Sequence, residues 1–167
     1  MSELRELRIA CEARLAGIEV PIPFNLDTFV ATMAAHRGRP ILLRATPVPA
    51  SPDYPSGVWK AAPEVDFIYV DTTSSTWHQE HVVCHEIGHM LWGHTASDTE
   101  LDKVLLPDLD PATVLWMLGR HEYTSEQEQQ AEMMATVILA RAGRRLTAPS
   151  ADPGTAAVAA ALFLDHV

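Results

Sequence analysis

The chain is poor in cysteine and in basic residues. Its 167 residues include two cysteines, Cys11 and Cys84, and 12 Lys and Arg against 22 Asp and Glu, which gives a formal net charge of −10. Because this acidic balance leaves no basic stripe to neutralise phosphates, we expect no direct binding of nucleic acid. Two cysteines are too few for a disulfide framework and predict free thiols in a reducing compartment.

Long apolar runs are also missing from the sequence. No uncharged apolar stretch approaches the roughly 20 residues that a membrane-spanning helix needs. The N-terminal segment lacks the charged and then apolar layout of a signal peptide. These two absences predict a cytoplasmic protein that does not enter a membrane.

The strongest pattern that the chain contains is His85-Glu86-Ile87-Gly88-His89. On a helix, residues four apart lie one turn above each other, so His85 and His89 can both direct a ring nitrogen at one ion. Glu86 lies about 100° further round the helix, beside the ion rather than on it. A carboxylate at that place can take a proton from a water molecule that a metal activates. The spacing therefore predicts a zinc site with Glu86 as the general base.

Apolar periodicity and capping residues predict an α+β fold that is mainly helical. We expect helices from Ser2 to Arg14, from Asn25 or Asp27 to Gly38, from a Thr76–Gln79 capping box to Gly93, from Asp110 to Gly119, from Thr124 or Ser125 to Arg141, and from Asp152 to Leu164. We expect strands over 41–45, 57–60 and 66–71, as a small three-stranded antiparallel sheet packed against the helix that carries the motif. The 167 residues suit one domain, with N-terminal helices over 1–38, a catalytic core over 39–142 and a C-terminal helical tail over 143–167.

A catalytic zinc usually keeps three protein ligands and one open position, so two histidines do not complete the site. The candidates for the third ligand are His94, His121, Glu128, Glu132 and Cys11. His94 follows His89 at a spacing that does not fit the pattern in which one segment supplies three histidines.

On the helix expected after Thr124, Glu128 falls within the apolar stripe and Glu132 falls at its edge. A carboxylate on a buried face needs a partner, and a metal ion would supply one. The alternative is that Glu128 is the N3 carboxylate of a capping box with Ser125.

Two segments together resemble the ImmA/IrrE family of zinc metallopeptidases. They are residues 85–94 (HEIGHMLWGH) and 128–135 (EQQAEMMA). The family pairs the histidine-glutamate helix with a later Glu-x-x-Ala-Asn/Asp-x-Phe-Ala helix, whose first Glu completes the metal site. The resemblance implies that His85, His89 and Glu128 bind Zn²⁺ and that Glu86 is the general base.

This chain departs from the family pattern at two positions of the second segment. Glu132 stands where Asn or Asp is usual, and Met134 stands where Phe is usual. These changes affect the surroundings of the ligands more than the ligands themselves.

The resemblance further implies a peptidase that cuts a protein or peptide substrate, in this family typically a helix-turn-helix repressor. His121, Tyr123 and His81 are the candidates for stabilising the oxyanion. The strand over 67–70 is expected to offer an edge along which an extended substrate pairs. Two alternatives stay open: a zinc-containing regulatory protein that binds a repressor or other partner without cutting it, and a metal hydrolase that acts on a small amide.

Overall fold

Four helices and three strands make up the part of the chain that the computed structural model describes, residues 2–52, 54–94 and 123–144. They are α1 (Glu3–Arg14), α2 (Leu26–Arg37), β1 (Ile41–Ala45), β2 (Gly57–Ala61), β3 (Asp66–Val70), α3 (Thr76–Trp92) and α4 (Ser125–Arg141). The mainly helical α+β class is thereby confirmed. The helices expected over 110–119 and 152–164 lie outside the described residues, and so does His121.

Local capping signals place most helix ends. The Asn25 side chain accepts a hydrogen bond from the Thr28 backbone N–H at the start of α2. Thr124 and Gln127 form the reciprocal capping box of α4. The expected box at Thr76 is wrong by one residue, because Ser75 is the N-cap of α3.

The sheet is mixed rather than antiparallel, which corrects the sequence-based expectation. Its strand order is β1-β3-β2, with β2 antiparallel and β1 parallel to β3. The proline-rich connection over 46–56 joins β1 and β2, which lie at opposite edges of the sheet. β3 then returns between them, antiparallel to β2 and parallel to β1. The expected substrate edge at 67–70 is also wrong, since β3 is the central strand and both of its edges are paired.

Helix α3 lies between the sheet and α4, and α4 also contacts α1. The main apolar core fills the space between these elements, and a smaller cluster of Val58, Phe67 and Tyr69 lies on another part of the sheet. Cys84 is fully buried in the main core, as expected for a small apolar residue. Within the described ranges, no helix combines the length and the apolar character that crossing a membrane requires.

Candidate metal centre

The backbones of α3 and α4 touch at Gly88, inside the histidine-glutamate motif. A Cβ added to Gly88 would lie 2.8 Å from the carbonyl oxygen of Ala131 and 2.9 Å from its Cα. Only glycine permits this approach, because a side chain at the position would push the two helices apart. The contact lies one residue before His89 and three residues after Glu128, so it sets the distance between the candidate ligands on the two helices.

Three side chains of these helices bring their ligand atoms together. His85 Nε2 lies 3.1 Å from His89 Nε2 and 3.2 Å from Glu128 Oε2, and His89 Nε2 lies 3.7 Å from Glu128 Oε1. In a tetrahedral zinc site with bonds of about 2.0–2.1 Å, ligand atoms are about 3.3 Å apart. The cluster can therefore hold a metal ion with three ligands and one open position.

Among the candidates for the third ligand that the structure describes, Glu128 is the one whose carboxylate lies with His85 and His89 in this cluster. The alternative capping role for Glu128 is wrong, because Gln127 supplies the N3 side chain of the capping box. The Glu128 side chain is 49% exposed, more than its place in the apolar stripe predicts, since the stripe opens here onto a cleft. Cys11 Sγ lies 4.0 Å from the Gln130 carbonyl oxygen and takes no part in the cluster.

Glu132 connects His85 to a further histidine. Its Oε2 lies 3.3 Å from His85 Nδ1, and both of its oxygens lie within 3.2 Å of His81 Nε2. Burial alone would raise the pKa of Glu132, but the hydrogen bonds from His81 and His85 outweigh it and lower the pKa to about 2. A carboxylate on Nδ1 leaves Nε2 of His85 as the metal-facing nitrogen and increases its basicity.

The charges around His85 also change its own titration. Burial alone would lower the pKa of His85, but hydrogen bonds to Glu128 and Glu132 outweigh it and raise the pKa to about 10. In the metal-free protein His85 is therefore an imidazolium held between two carboxylates near neutral pH.

His89 is nearly inaccessible to solvent and is fixed on both sides. The ring of Tyr123 stacks on it, with centroids 3.6 Å apart and an interplanar angle of 14°. Its Nδ1 lies 2.9 Å from Nδ1 of His94, whose Nε2 lies 2.8 Å from Gln130 Oε1. His94 thus contacts His89 from behind and does not belong to the cluster of His85, His89 and Glu128. Burial raises the pKa of the Tyr123 hydroxyl, so it stays protonated and able to donate.

Glu86 is buried beside the cluster and is held by strand β2. Its Oε2 accepts a hydrogen bond of 2.9 Å from the backbone N–H of Trp59. Burial raises the pKa of Glu86 to about 7, against the opposing effect of the neighbouring His85 charge. A pKa near neutrality suits a group that both takes up and releases a proton during a reaction.

A cleft of about 260 Å³ opens over these groups. Its described lining includes Pro55, Ser56 and Gly57 on the β2 side, His81, His85, Glu86 and His89 from α3, and Tyr123, Glu128 and Glu132 from the α4 side. The cleft thus contains Tyr123 and His81, two of the three residues considered for oxyanion stabilisation.

The residues that hold the candidate ligands and Glu86 in place were not predicted from the sequence. The role of Trp59 is carried by its backbone N–H, and no residue pattern signals a contact to Glu86 across 27 positions. Glu132 had a usable signal, because it lies one helical turn after Glu128 and so on the same face of α4.

Comparisons with protein-family models, curated proteins and solved structures gave no match to this chain.

Proposed function

We propose that this chain is a zinc-dependent metallopeptidase of the ImmA/IrrE type. The observation that carries the proposal is the approach of His85, His89 and Glu128 to the spacing of a three-ligand zinc site. Two imidazoles and one carboxylate are a donor set that zinc takes in hydrolytic enzymes.

The residues around the cleft support hydrolysis of an amide bond. Zinc at this site would supply Lewis-acid polarisation of a carbonyl and activation of a water molecule. Glu86 would take the proton of the attacking water and deliver it to the leaving amine, and the Trp59 N–H keeps its carboxylate in place. The Tyr123 hydroxyl is the described donor that we assign to the developing oxyanion.

A peptide is the substrate that the surroundings of the cleft favour. Strand β2 is an edge of the sheet, and Gly57 at its start lines the cleft. The Trp59 N–H donates to Glu86 and therefore points away from β3. Because backbone orientation alternates along a strand, the N–H and C=O of Gly57, two residues earlier, also point away from β3. An extended peptide segment can form backbone hydrogen bonds with such an edge, whereas a small amide is too short to pair along it. The family resemblance makes a helix-turn-helix repressor our proposed substrate.

Zinc content tests this proposal. Elemental analysis of the purified wild-type chain is expected to give about one zinc per chain after reconstitution. Glu128→Ala is expected to lose zinc or to bind it much more weakly. Glu64→Ala removes the same charge from an exposed position outside the cleft and is expected to keep the wild-type content.

Two results would contradict the proposed metal site. A wild-type chain that takes up no zinc overturns the proposal. Equal zinc in Glu128→Ala and wild type would show that Glu128 is not the third ligand.

A further inference from the structure

The last turn of α3 places His94 directly behind His89. Gly93 has a φ of 70° and ends the helix in the left-handed conformation. The Gly93 N–H bonds the Met90 carbonyl and the His94 N–H bonds the carbonyl of His89, which is the pattern of a Schellman motif. This turn folds the chain back on itself, so a residue five positions after the ligand contacts the ligand's own ring.

The two ligand histidines are supported differently. His85 has the carboxylate of Glu132 on its Nδ1, whereas His89 has the ring nitrogen of His94. His94 and His89 are 6% and 1% exposed, so bulk water does not take over the support of the His89 Nδ1. Buried ring nitrogens of this kind need a partner of matching hydrogen-bond character.

One arrangement of hydrogens satisfies the whole group. If His89 binds a metal through Nε2, its Nδ1–H donates to Nδ1 of His94, and His94 must then carry its proton on Nε2. That N–H donates to Gln130 Oε1, and the amide nitrogen of Gln130 donates to Glu126 Oε1 over 3.2 Å. Each donor in this group therefore faces an acceptor, from His89 to Glu126 in the first turn of α4.

We propose that His94 is a positioning residue that, oriented by Gln130, fixes the tautomer and the ring orientation of His89 for metal binding. The inference rests on the metal site of the proposed function. His94 acts only through His89, since its Nδ1 points at the ligand ring and its Nε2 points at Gln130. Partners of this kind typically change metal affinity by about 10–100-fold when they are removed.

Zinc affinity of position-94 variants tests the proposal. His94→Leu removes the acceptor, whereas His94→Asn keeps an acceptor oxygen close to the place of Nδ1. We expect the zinc dissociation constant, from competition with a chromogenic chelator, to rise by about 10–100-fold in His94→Leu and to return close to the wild-type value in His94→Asn. Urea unfolding of the metal-free proteins reports any loss of fold separately.

A second pair of variants tests the contact between Gln130 and His94 and leaves the turn at Gly93 unchanged. Gln130→Leu is expected to weaken zinc binding, because it frees the His94 ring to rotate. Gln129→Leu makes the same change at the neighbouring exposed position and is expected to bind zinc as the wild type does.

The outcomes separate this inference from the proposed function. Wild-type affinity in His94→Leu, or an equal loss in His94→Leu and His94→Asn, overturns the positioning role while the metal site stands. A wild-type chain without zinc affinity overturns the metal site and the inference with it.

Discussion

The Trp59 backbone N–H donates a 2.9 Å hydrogen bond to Glu86 Oε2, which ties the proposed general base to strand β2. The Trp59 indole is itself anchored, because its Nε1–H donates to the buried carboxylate of Asp66 over 3.0 Å. Asp66 in turn pairs with Arg37 and Arg39. The position of the base therefore depends on the sheet as well as on the motif helix.

Glu86→Gln is expected to keep the fold and the zinc but to lose hydrolysis. The Gln side chain has the same size, and its amide oxygen still accepts the Trp59 N–H. It lacks the basicity to take a proton, and loss of a general base typically costs about 10²–10⁴ in rate. Cleavage of an internally quenched peptide library by the zinc-loaded proteins measures the difference. Equal cleavage by variant and wild type would contradict the general-base role of Glu86, and no cleavage by either would favour a protein that binds its partner without cutting it.

The stability of the metal-free protein is expected to depend on pH through Glu86. Burial raises the folded-state pKa from 4.5 to about 7, so the folded chain holds this proton more tightly than the unfolded chain. The contribution of the protonated group is complete below about pH 4.5 and is lost as the pH rises toward 7.

Glu86→Gln removes this titration, which gives the prediction its control. The free energy of unfolding from urea titrations at about pH 5 and pH 8 should fall more in the wild type than in the variant. A pH dependence that is the same in both proteins would mean that Glu86 titrates normally in the folded state.

Short-range signals in the sequence predicted much of the fold. Gly93 and the Thr124–Gln127 pair mark helix ends through contacts within four residues, and these predictions are confirmed. The parallel pairing of β1 with β3 depends on how a long connection crosses the sheet, which no local pattern encodes.

The candidate ligands could be predicted from the sequence for a similar reason, but the residues that hold them in place could not. His85 and His89 are related by one helical turn, and a family resemblance indicated Glu128. The contact between His94 and Gln130 depends on packing of α3 against α4, across 36 positions of the chain.

Gly88→Ala is expected to destabilise the protein and to weaken metal binding. Ala is favoured over Gly in a helix interior by about 1 kcal/mol, so without the neighbouring helix the change would stabilise. Here the new Cβ would meet the Ala131 backbone, and overpacking of this kind costs about 1–3 kcal/mol. Separation of the helices would also move Glu128 away from the two histidines. Urea unfolding and zinc affinity measure the two effects.

The double variant Gly88→Ala, Ala131→Gly provides the control for that contact. The short distances run to the carbonyl oxygen and Cα of Ala131 and not to its side chain, so removing the Ala131 Cβ should not restore stability. If Gly88→Ala is at least as stable as the wild type, the two helices lie further apart at this position than the distances of 2.8 Å and 2.9 Å to the Ala131 backbone indicate.

Zinc binding near neutral pH is expected to release a proton from His85. The pKa of about 10 in the metal-free protein means that the imidazolium predominates at neutral pH, yet a metal ligand must be the neutral imidazole. Affinity should therefore increase as the pH rises toward 10. Calorimetric zinc titrations in buffers of different ionisation enthalpy should give about one proton per zinc at pH 7.5. Glu132→Gln removes one of the carboxylates that raise this pKa and should reduce the release. Binding heats that do not depend on the buffer would contradict the protonated state of His85.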